Sequence, residues 1–284
     1  TVYRKIIQTG LMAEKLGANI LGLGAFTSVV GDAGVTIANG LNIPVTTGDS
    51  FTIAMAVQAI RDAARVMDIK MEDATVAVVG ATGAIGRVCA ELLAGEAART
   101  LLVARDEKKL EVLRDRLQLK SRSELVISTK MDVLKEAQLI LTVTSSIHDV
   151  IRPEYLQAGS VVCDVARPRD VSAMVAAVRD DILVIDGGMV DVPGSVNFHF
   201  NFGFPEGKVY ACMAETIALA LEGRFEDYTV GRDITLERVQ EITAIADKHG
   251  FRMSGFRSFE REVTDEQIET VRKNARMGVR ARRG

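Results

Sequence analysis

Cys212 is the side chain of this sequence best placed to act as a nucleophile. It lies in a helical pattern that follows Pro205-Glu206-Gly207, so we expect it in the first turn of a helix. The helix dipole there and the neighbouring Lys208 are expected to lower the pKa of the thiol. Cysteine is also often buried as an inert apolar residue, and the residues alone leave both roles open.

The other thiols and the imidazoles offer less chemistry. Cys89 and Cys163 are predicted to pack inside a helix and a strand, respectively. The three histidines, at positions 148, 199 and 249, lack the spacing of a catalytic triad or of a zinc site, and we predict no metal site.

A glycine-rich turn follows the first strongly apolar run of the central part of the sequence. Glycine lets backbone N–H groups approach a pyrophosphate, and the helix that follows supplies partial positive charge. This motif has the form GxxGxxG rather than GxGxxG, but it falls between a predicted strand and a predicted helix, as such a site requires. The residues predicted to bind the cofactor here are Gly80, Thr82, Gly83, Ala84, Ile85 and Gly86.

Arg105 indicates which dinucleotide is bound. It follows the second predicted strand, where an NAD site commonly has a carboxylate for the ribose 2′-hydroxyl. Arginine suits a 2′-phosphate, so the sequence predicts NADP(H). The alternative is a surface ion pair between Arg105 and Asp106 or Glu107.

Small residues after later strands are expected to line the same site, because open α/β sheets bind ligands beyond the carboxyl ends of their strands. Thr144 and Ser145 end the fourth apolar run of the central part of the sequence, and Gly188 follows the sixth. Each of them is equally compatible with a tight loop.

The central part of the sequence predicts an α/β fold with a doubly wound parallel (Rossmann) sheet. The apolar runs are rich in Val, Ile and Leu without alternation, which is typical of strands covered on both faces. They span residues 74–80, 100–104, 125–129, 138–145, 160–165 and 182–186. We therefore assign residues 73–188 to a dinucleotide-binding domain, and 1–72 together with 189–284 to a second, substrate-binding domain.

Composition limits the partners. The sequence has 284 residues, of which 48% are hydrophobic, and a net charge of −3. This charge disfavours nonspecific electrostatic binding to nucleic acid. We expect no membrane span, and three scattered cysteines fit a reducing cytoplasm.

The first residue is Thr1 rather than methionine, so an upstream segment is expected. The basic stretch 272–284 is expected to be a solvated tail without assigned function, and a homo-oligomer is left open.

Several stretches, in order and with similar spacing from about Leu11 to Phe251, resemble the aldehyde-forming long-chain acyl-[acyl-carrier-protein] reductases of cyanobacteria. They are residues 16–19, 24–30, 46–48, 74–86, 210–215, 222–223 and 248–251. Residues 163–170 also resemble the matching stretch of glutamyl-tRNA reductases. The resemblance implies a shikimate-dehydrogenase-like fold, NADPH, and Cys212 as the residue that takes the acyl chain as a thioester.

The resemblance therefore implies an NADPH-dependent reductase that forms a fatty aldehyde from an acyl thioester of acyl-carrier protein or coenzyme A. Oxyanion donors are expected from the start of the Cys212 helix or from the turn Thr46, Thr47 and Gly48. One alternative is a shikimate- or quinate-type alcohol dehydrogenase, although residues 42–48 lack the lysine of its Lys/Asp pair. The other is a noncatalytic NADP(H)-binding protein in which Cys212 is merely packed.

Overall fold

The computed structural model describes residues 2–24, 26–29, 31–201, 203–259 and 261–281. Its largest element is a sheet of six parallel strands. These are β3 (Thr75–Val79), β4 (Arg99–Val103), β5 (Glu124–Ser128), β6 (Leu139–Thr142), β7 (Val161–Asp164) and β8 (Leu183–Asp186). The six apolar runs of the sequence match these six strands, and the predicted fold class is confirmed.

The strand order is β5-β4-β3-β6-β7-β8, which is that of a doubly wound sheet. The central strands are buried along almost their whole length, which accounts for their lack of alternating polarity. The order reverses between β3 and β6, and ligands of such sheets bind beyond the carboxyl ends of the strands at this point.

The remaining strands are short. They are β1 (Leu21–Gly22), β2 (Val45–Thr46), β9 (Met189–Asp191), β10 (Lys208–Tyr210), β11 (Arg252–Met253), β12 (Arg257–Ser258) and β13 (Arg261–Glu262). Strands β1 and β2 pair in parallel, whereas β10-β9-β11 form a small antiparallel sheet.

The helices are α1 (Val2–Lys15), α2 (Phe26–Val29), α3 (Val35–Ala38), α4 (Asp49–Val66), α5 (Ala84–Ala94), α6 (Glu107–Gln118), α7 (Ala173–Val178), α8 (Ala211–Glu222), α9 (Leu236–His249) and α10 (Asp265–Ala281). Short 3₁₀ helices span Met71–Asp73, Met131–Glu136 and Pro153–Tyr155.

The described residues form two compact units. One contains residues 2–55 and Gly188–Ser254, and its core includes the buried Phe51, Val209, Ile242 and Phe251. We call this the cysteine unit, because it holds Cys212. The other contains Ala56–Gly187 and residues 255–281, and we call it the nucleotide unit because it holds the six-stranded sheet.

This division differs from the predicted one at both ends of the chain. Residues 56–72 and 255–281 belong to the nucleotide unit, not to the second domain. The prediction of a solvated tail over residues 272–284 is also wrong for its first part, because α10 extends into this stretch and buries Ala275, one heptad after the buried Ile268. Residues 282–284 lie outside the described part of the chain.

Candidate functional site

The turn between β3 and α5 has the geometry of a phosphate-binding turn. Gly80 follows β3 with φ +84°, and the N–H of Gly83 donates to its carbonyl oxygen at 2.9 Å. A Cβ on Gly86 would lie only 2.1 Å from the same oxygen, so α5 starts closer to the strand end than any other residue type would permit. The N-terminus of α5 therefore reaches the strand end, and the turn fits a dinucleotide.

The turn also lies where the strand order reverses. A Cβ on Gly80 would stand 2.6 Å from the carbonyl oxygen of Val143, the residue that follows β6.

Among the other predicted cofactor residues, Gly83 is exposed, and Thr82, Ala84 and Ile85 are partly exposed.

Arg105 is exposed just beyond β4, as predicted. In the part of the chain that the structure describes, it makes no ion pair, whereas its neighbour Asp106 caps α6 by accepting the N–H of Lys109 at 3.1 Å. The alternative, an ion pair between Arg105 and Asp106 or Glu107, is thus not formed among the described residues.

Thr144 has a structural role that the sequence did not indicate. Its N–H donates to the Asp170 carboxylate at 2.8 Å, and its hydroxyl donates to the same carboxylate. Asp170 also accepts the hydroxyl of Thr142 at 2.6 Å, so this buried aspartate holds the chain as it leaves β6. Ser145, the next residue, is exposed.

Cys212 is the second residue of α8, in agreement with the predicted position in a first helical turn. Its side chain is partly exposed, whereas Cys89 and Cys163 are fully buried, as expected. Burial raises the pKa of the Cys89 thiol to about 12 and raises the pKa of Cys163 as well. Of the three thiols, only Cys212 is accessible to a reagent.

Lys208 is engaged elsewhere. Its ammonium group donates to the Asp191 carboxylate at 2.6 Å and to the hydroxyl of Ser254. Asp191 thus offsets the positive charge of Lys208. This gives little support to the expectation that Lys208 lowers the pKa of Cys212. At the start of α8, the carbonyl oxygen of Gly188 accepts the N–H of Ala211 at 2.7 Å. Gly188 belongs to the cysteine unit and contacts the start of α8.

The turn of Thr46, Thr47 and Gly48 lies against Cys212. Gly48 has φ +78°, and a Cβ there would stand 2.3 Å from the Cys212 Cα atom. A Cβ on Gly24 would lie 3.8 Å from Cys212 Sγ. Two glycines thus border Cys212, and the structure brings together Gly48 and Cys212, two predicted site residues that are 164 positions apart in the sequence.

Glu215 holds this turn in place. Its carboxylate is fully buried and accepts the Phe51 N–H at 2.8 Å, the Thr229 hydroxyl at 2.8 Å and the Thr46 hydroxyl. Burial raises the pKa of Glu215 above its usual value, although hydrogen bonds from Thr46, Phe51, Thr229 and the N–H of Gly48 oppose this rise. The position of Glu215 one turn after Cys212 was the only sequence signal for this role.

Asp49 is a second buried carboxyl group in the same place. It is the first residue of α4 and directly follows Gly48. Burial, and then the nearby Glu215 carboxylate, raise the pKa of Asp49 to about 7, against a weaker opposing effect of the Thr47 hydroxyl. The sequence showed Asp49 only as a helix-start residue.

The described residues contain no cluster of three or more His, Cys, Asp or Glu side chains that could hold a metal ion. His249 pairs with Glu222 at 2.7 Å. An apolar helix sufficient to span a lipid bilayer does not occur within residues 2–281 as described.

Comparison with known proteins places this geometry in context. The family model for shikimate/quinate 5-dehydrogenases matches residues 61–186, all within the nucleotide unit. The fold is that of an NAD(P)-binding oxidoreductase domain.

Two relatives match almost the whole chain. The aminotransferase PigE of Serratia is 34% identical over 90% of this chain but over only 30% of its own length. The long-chain acyl-[acyl-carrier-protein] reductase of Synechococcus elongatus is 30% identical over 88% of this chain and 76% of its own length. Among solved structures, glutamyl-tRNA reductase from Methanopyrus kandleri is 17% identical, with a TM-score of 0.39 over 79% of this chain and 43% of that one.

Proposed function

The chain belongs to the family of the Synechococcus elongatus long-chain acyl-[acyl-carrier-protein] reductase, and from this premise we propose that it is an NADPH-dependent reductase converting a fatty acyl thioester to an aldehyde. The observation that carries the proposal is the accessible Cys212 thiol in the first turn of α8, bordered by Gly24 and Gly48.

The reaction divides into two carbon–sulfur steps at Cys212. In the first, its sulfur attacks the thioester carbonyl, the bond to the carrier sulfur breaks, and the carrier thiol leaves with a proton. In the second, the acyl carbon gains a hydride, its bond to Cys212 breaks, and the aldehyde leaves. The acyl-enzyme replaces one difficult displacement by two easier ones.

The negative charge that develops on the carbonyl oxygen needs donors. N–H groups in the first turn of a helix lack partners within the helix, so the start of α8 is one source. The turn of Thr46, Thr47 and Gly48 is the other, because Gly48 touches the backbone of Cys212. We propose these three residues as the substrate side of the site.

NADPH, when bound, supplies the hydride. We propose that the turn from Gly80 to Gly86 holds its pyrophosphate, with Thr82, Gly83, Ala84 and Ile85 in between, and that Arg105 holds its 2′-phosphate. Ser145, Thr144 and Gly188 remain proposed cofactor residues, Thr144 through its carbonyl group, since Asp170 accepts both its hydroxyl and its N–H. The proposed carrier is acyl-carrier protein or coenzyme A, and the proposed compartment is the cytoplasm.

The test is aldehyde formation by Cys212→Ser. We expect the variant to lose NADPH-dependent aldehyde production while binding NADPH with unchanged affinity, because the nucleotide turn belongs to the other unit. Cys89→Ala serves as the matched control, since it removes a buried thiol far from this chemistry in the sequence, and it should remain active. Full activity of Cys212→Ser would refute the proposal.

The match over residues 61–186 favours one second candidate, a shikimate-type alcohol dehydrogenase. That reaction needs no thiol, so it predicts that Cys212→Ser still oxidises or reduces an alcohol–ketone pair at the wild-type rate. The same variant therefore separates the two functions.

A further inference from the structure

The two carbon–sulfur steps, as described above, give no role to the buried carboxyl group of Asp49. Its exposed fraction is 7%, and within the described ranges it accepts no hydrogen bond of ordinary geometry, although the Thr47 hydroxyl is close enough to lower its pKa. A buried carboxylate with so few donors is costly, and such a group calls for a functional explanation.

Glu215, the other buried carboxyl group, differs from Asp49 in the donors it receives. It accepts hydrogen bonds from two hydroxyls and from backbone N–H groups, which oppose the rise in pKa that burial causes. Against burial Asp49 has the Thr47 hydroxyl, and the nearby Glu215 carboxylate raises the pKa of Asp49 further, to about 7. Without a network of donors to hold its ionised form, Asp49 is suited to carry a proton near neutral pH and to give it up.

Both groups belong to the two elements that meet at Cys212. Glu215 is three residues after Cys212 on α8, and Gly48, the residue before Asp49, packs against the Cys212 Cα atom. The N-terminus of α4 therefore brings a proton-carrying group to the start of α8, within the cysteine unit.

Thioester exchange requires a proton to move. The Cys212 thiol must lose its proton to attack, and the carrier sulfur must gain one to leave as a thiol. We propose that Asp49 is the acid of this exchange: its carboxyl group gives a proton to the sulfur of the departing carrier and regains one from solvent, while Cys212 releases its own proton to solvent before it attacks. The balanced step converts Cys212–SH and acyl–S–carrier into Cys212–S–acyl and HS–carrier. The inference rests on the proposed acyl-cysteine function.

The test varies the leaving group. Wild type and Asp49→Asn are mixed, without nucleotide, with the palmitoyl thioester of coenzyme A and with that of para-nitrothiophenol, and acylation of Cys212 is timed by mass spectrometry. We expect Asp49→Asn to react with the coenzyme A ester on the order of 10²-fold more slowly. With the aryl ester its rate should stay within a few-fold of wild type, since an acidic thiol departs without a proton.

Three comparisons separate proton transfer from structural damage. Alkylation of Cys212 by iodoacetamide needs a thiolate but no proton donor, so Asp49→Asn should keep it within a few-fold of wild type. Asp49→Glu keeps the acid and should react with the coenzyme A ester faster than Asp49→Asn. Asp247→Asn removes an exposed carboxylate of α9 that pairs with Arg252, and it should match wild type with both esters.

Equal slowing of both esters in Asp49→Asn, or no slowing with the coenzyme A ester, overturns the role of Asp49 while leaving the proposed function intact. Failure of wild-type Cys212 to accept an acyl group from either ester is a different result, and it overturns both.

Discussion

The two buried carboxyl groups beside Cys212 differ in the number of donors they receive, and this difference has a measurable consequence for stability. A carboxyl whose pKa is raised in the folded protein binds a proton there that it loses when the chain unfolds. Such a group makes folding less favourable as the pH rises from its unfolded pKa to its folded pKa. For Asp49 that window runs from the ordinary 3.8 to about 7.

We predict that Asp49→Asn gains stability relative to wild type as the pH is raised from 5 to 8. The variant avoids the cost of ionising a buried group, which amounts to roughly 1.4 kcal/mol per pKa unit crossed. Urea unfolding at the two pH values measures the difference. A gap between variant and wild type that is the same at both would show that Asp49 has an ordinary pKa.

Arg105 allows a test of cofactor choice. We predict that Arg105→Ala weakens the binding of NADPH on the order of tenfold and leaves NADH binding nearly unchanged, because only the 2′-phosphate loses a charged partner. Fluorescence titration measures both. Arg122→Ala, an equally exposed arginine after α6, is the control, and a wild type that prefers NADH would show the assignment to be wrong.

Among the structural elements, the turn after β2 shows why the site has glycine where it does. Gly48 and Gly207 have nearly the same positive φ, +78° and +71°. A Cβ on Gly48 would collide with the Cys212 backbone, whereas a Cβ on Gly207 would meet nothing within 4 Å. The pair therefore separates the cost of backbone strain from the cost of crowding against Cys212.

We predict that Gly207→Ala costs about 1–2 kcal/mol of unfolding free energy, from the left-handed conformation alone. Gly48→Ala should cost more, and it should also change the rate at which iodoacetamide alkylates Cys212, because the turn or α8 must shift. Chemical denaturation and the alkylation time course measure both effects. Equal costs, with an unaltered alkylation rate, would contradict the contact between Gly48 and Cys212.

The sequence predicted the elements better than their contacts. Unbroken Val, Ile and Leu runs identify β3 to β8, and the pattern after Pro205 locates the start of α8, because both signals are local. The bond from Thr46 to Glu215 joins residues 169 positions apart, and no local pattern marks it. The role of α10 was missed for another reason: its many basic residues concealed two apolar positions, Ile268 and Ala275.

For the molecule as a whole, the assignment of α10 to the nucleotide unit is the least expected feature. Ala275 is buried, and a Cβ on Gly159, which has φ +82°, would lie 3.3 Å from its methyl group. Asn274 donates to the Asp180 carbonyl at 3.2 Å, and Arg272 pairs with Asp68. The helix therefore completes the unit that carries the six-stranded sheet.

We predict that Ala275→Asp lowers the unfolding free energy by about 2–4 kcal/mol, because it buries an unpaired charge. Met277→Asp, on an exposed position of the same helix, should change it by less than about 0.5 kcal/mol. Thermal and urea unfolding of both variants provide the comparison. If Ala275→Asp is as stable as Met277→Asp, α10 does not dock as described.

The central claim is that Cys212 takes the acyl group before the hydride arrives. Peptide mass spectrometry of the wild-type protein, after incubation with a long-chain acyl thioester in the absence of NADPH, tests it most directly. We predict one acyl adduct, on the peptide that contains Cys212, with Cys89 and Cys163 unmodified, and its loss on addition of NADPH as aldehyde forms. An unmodified Cys212 in a protein that still makes aldehyde would contradict the account.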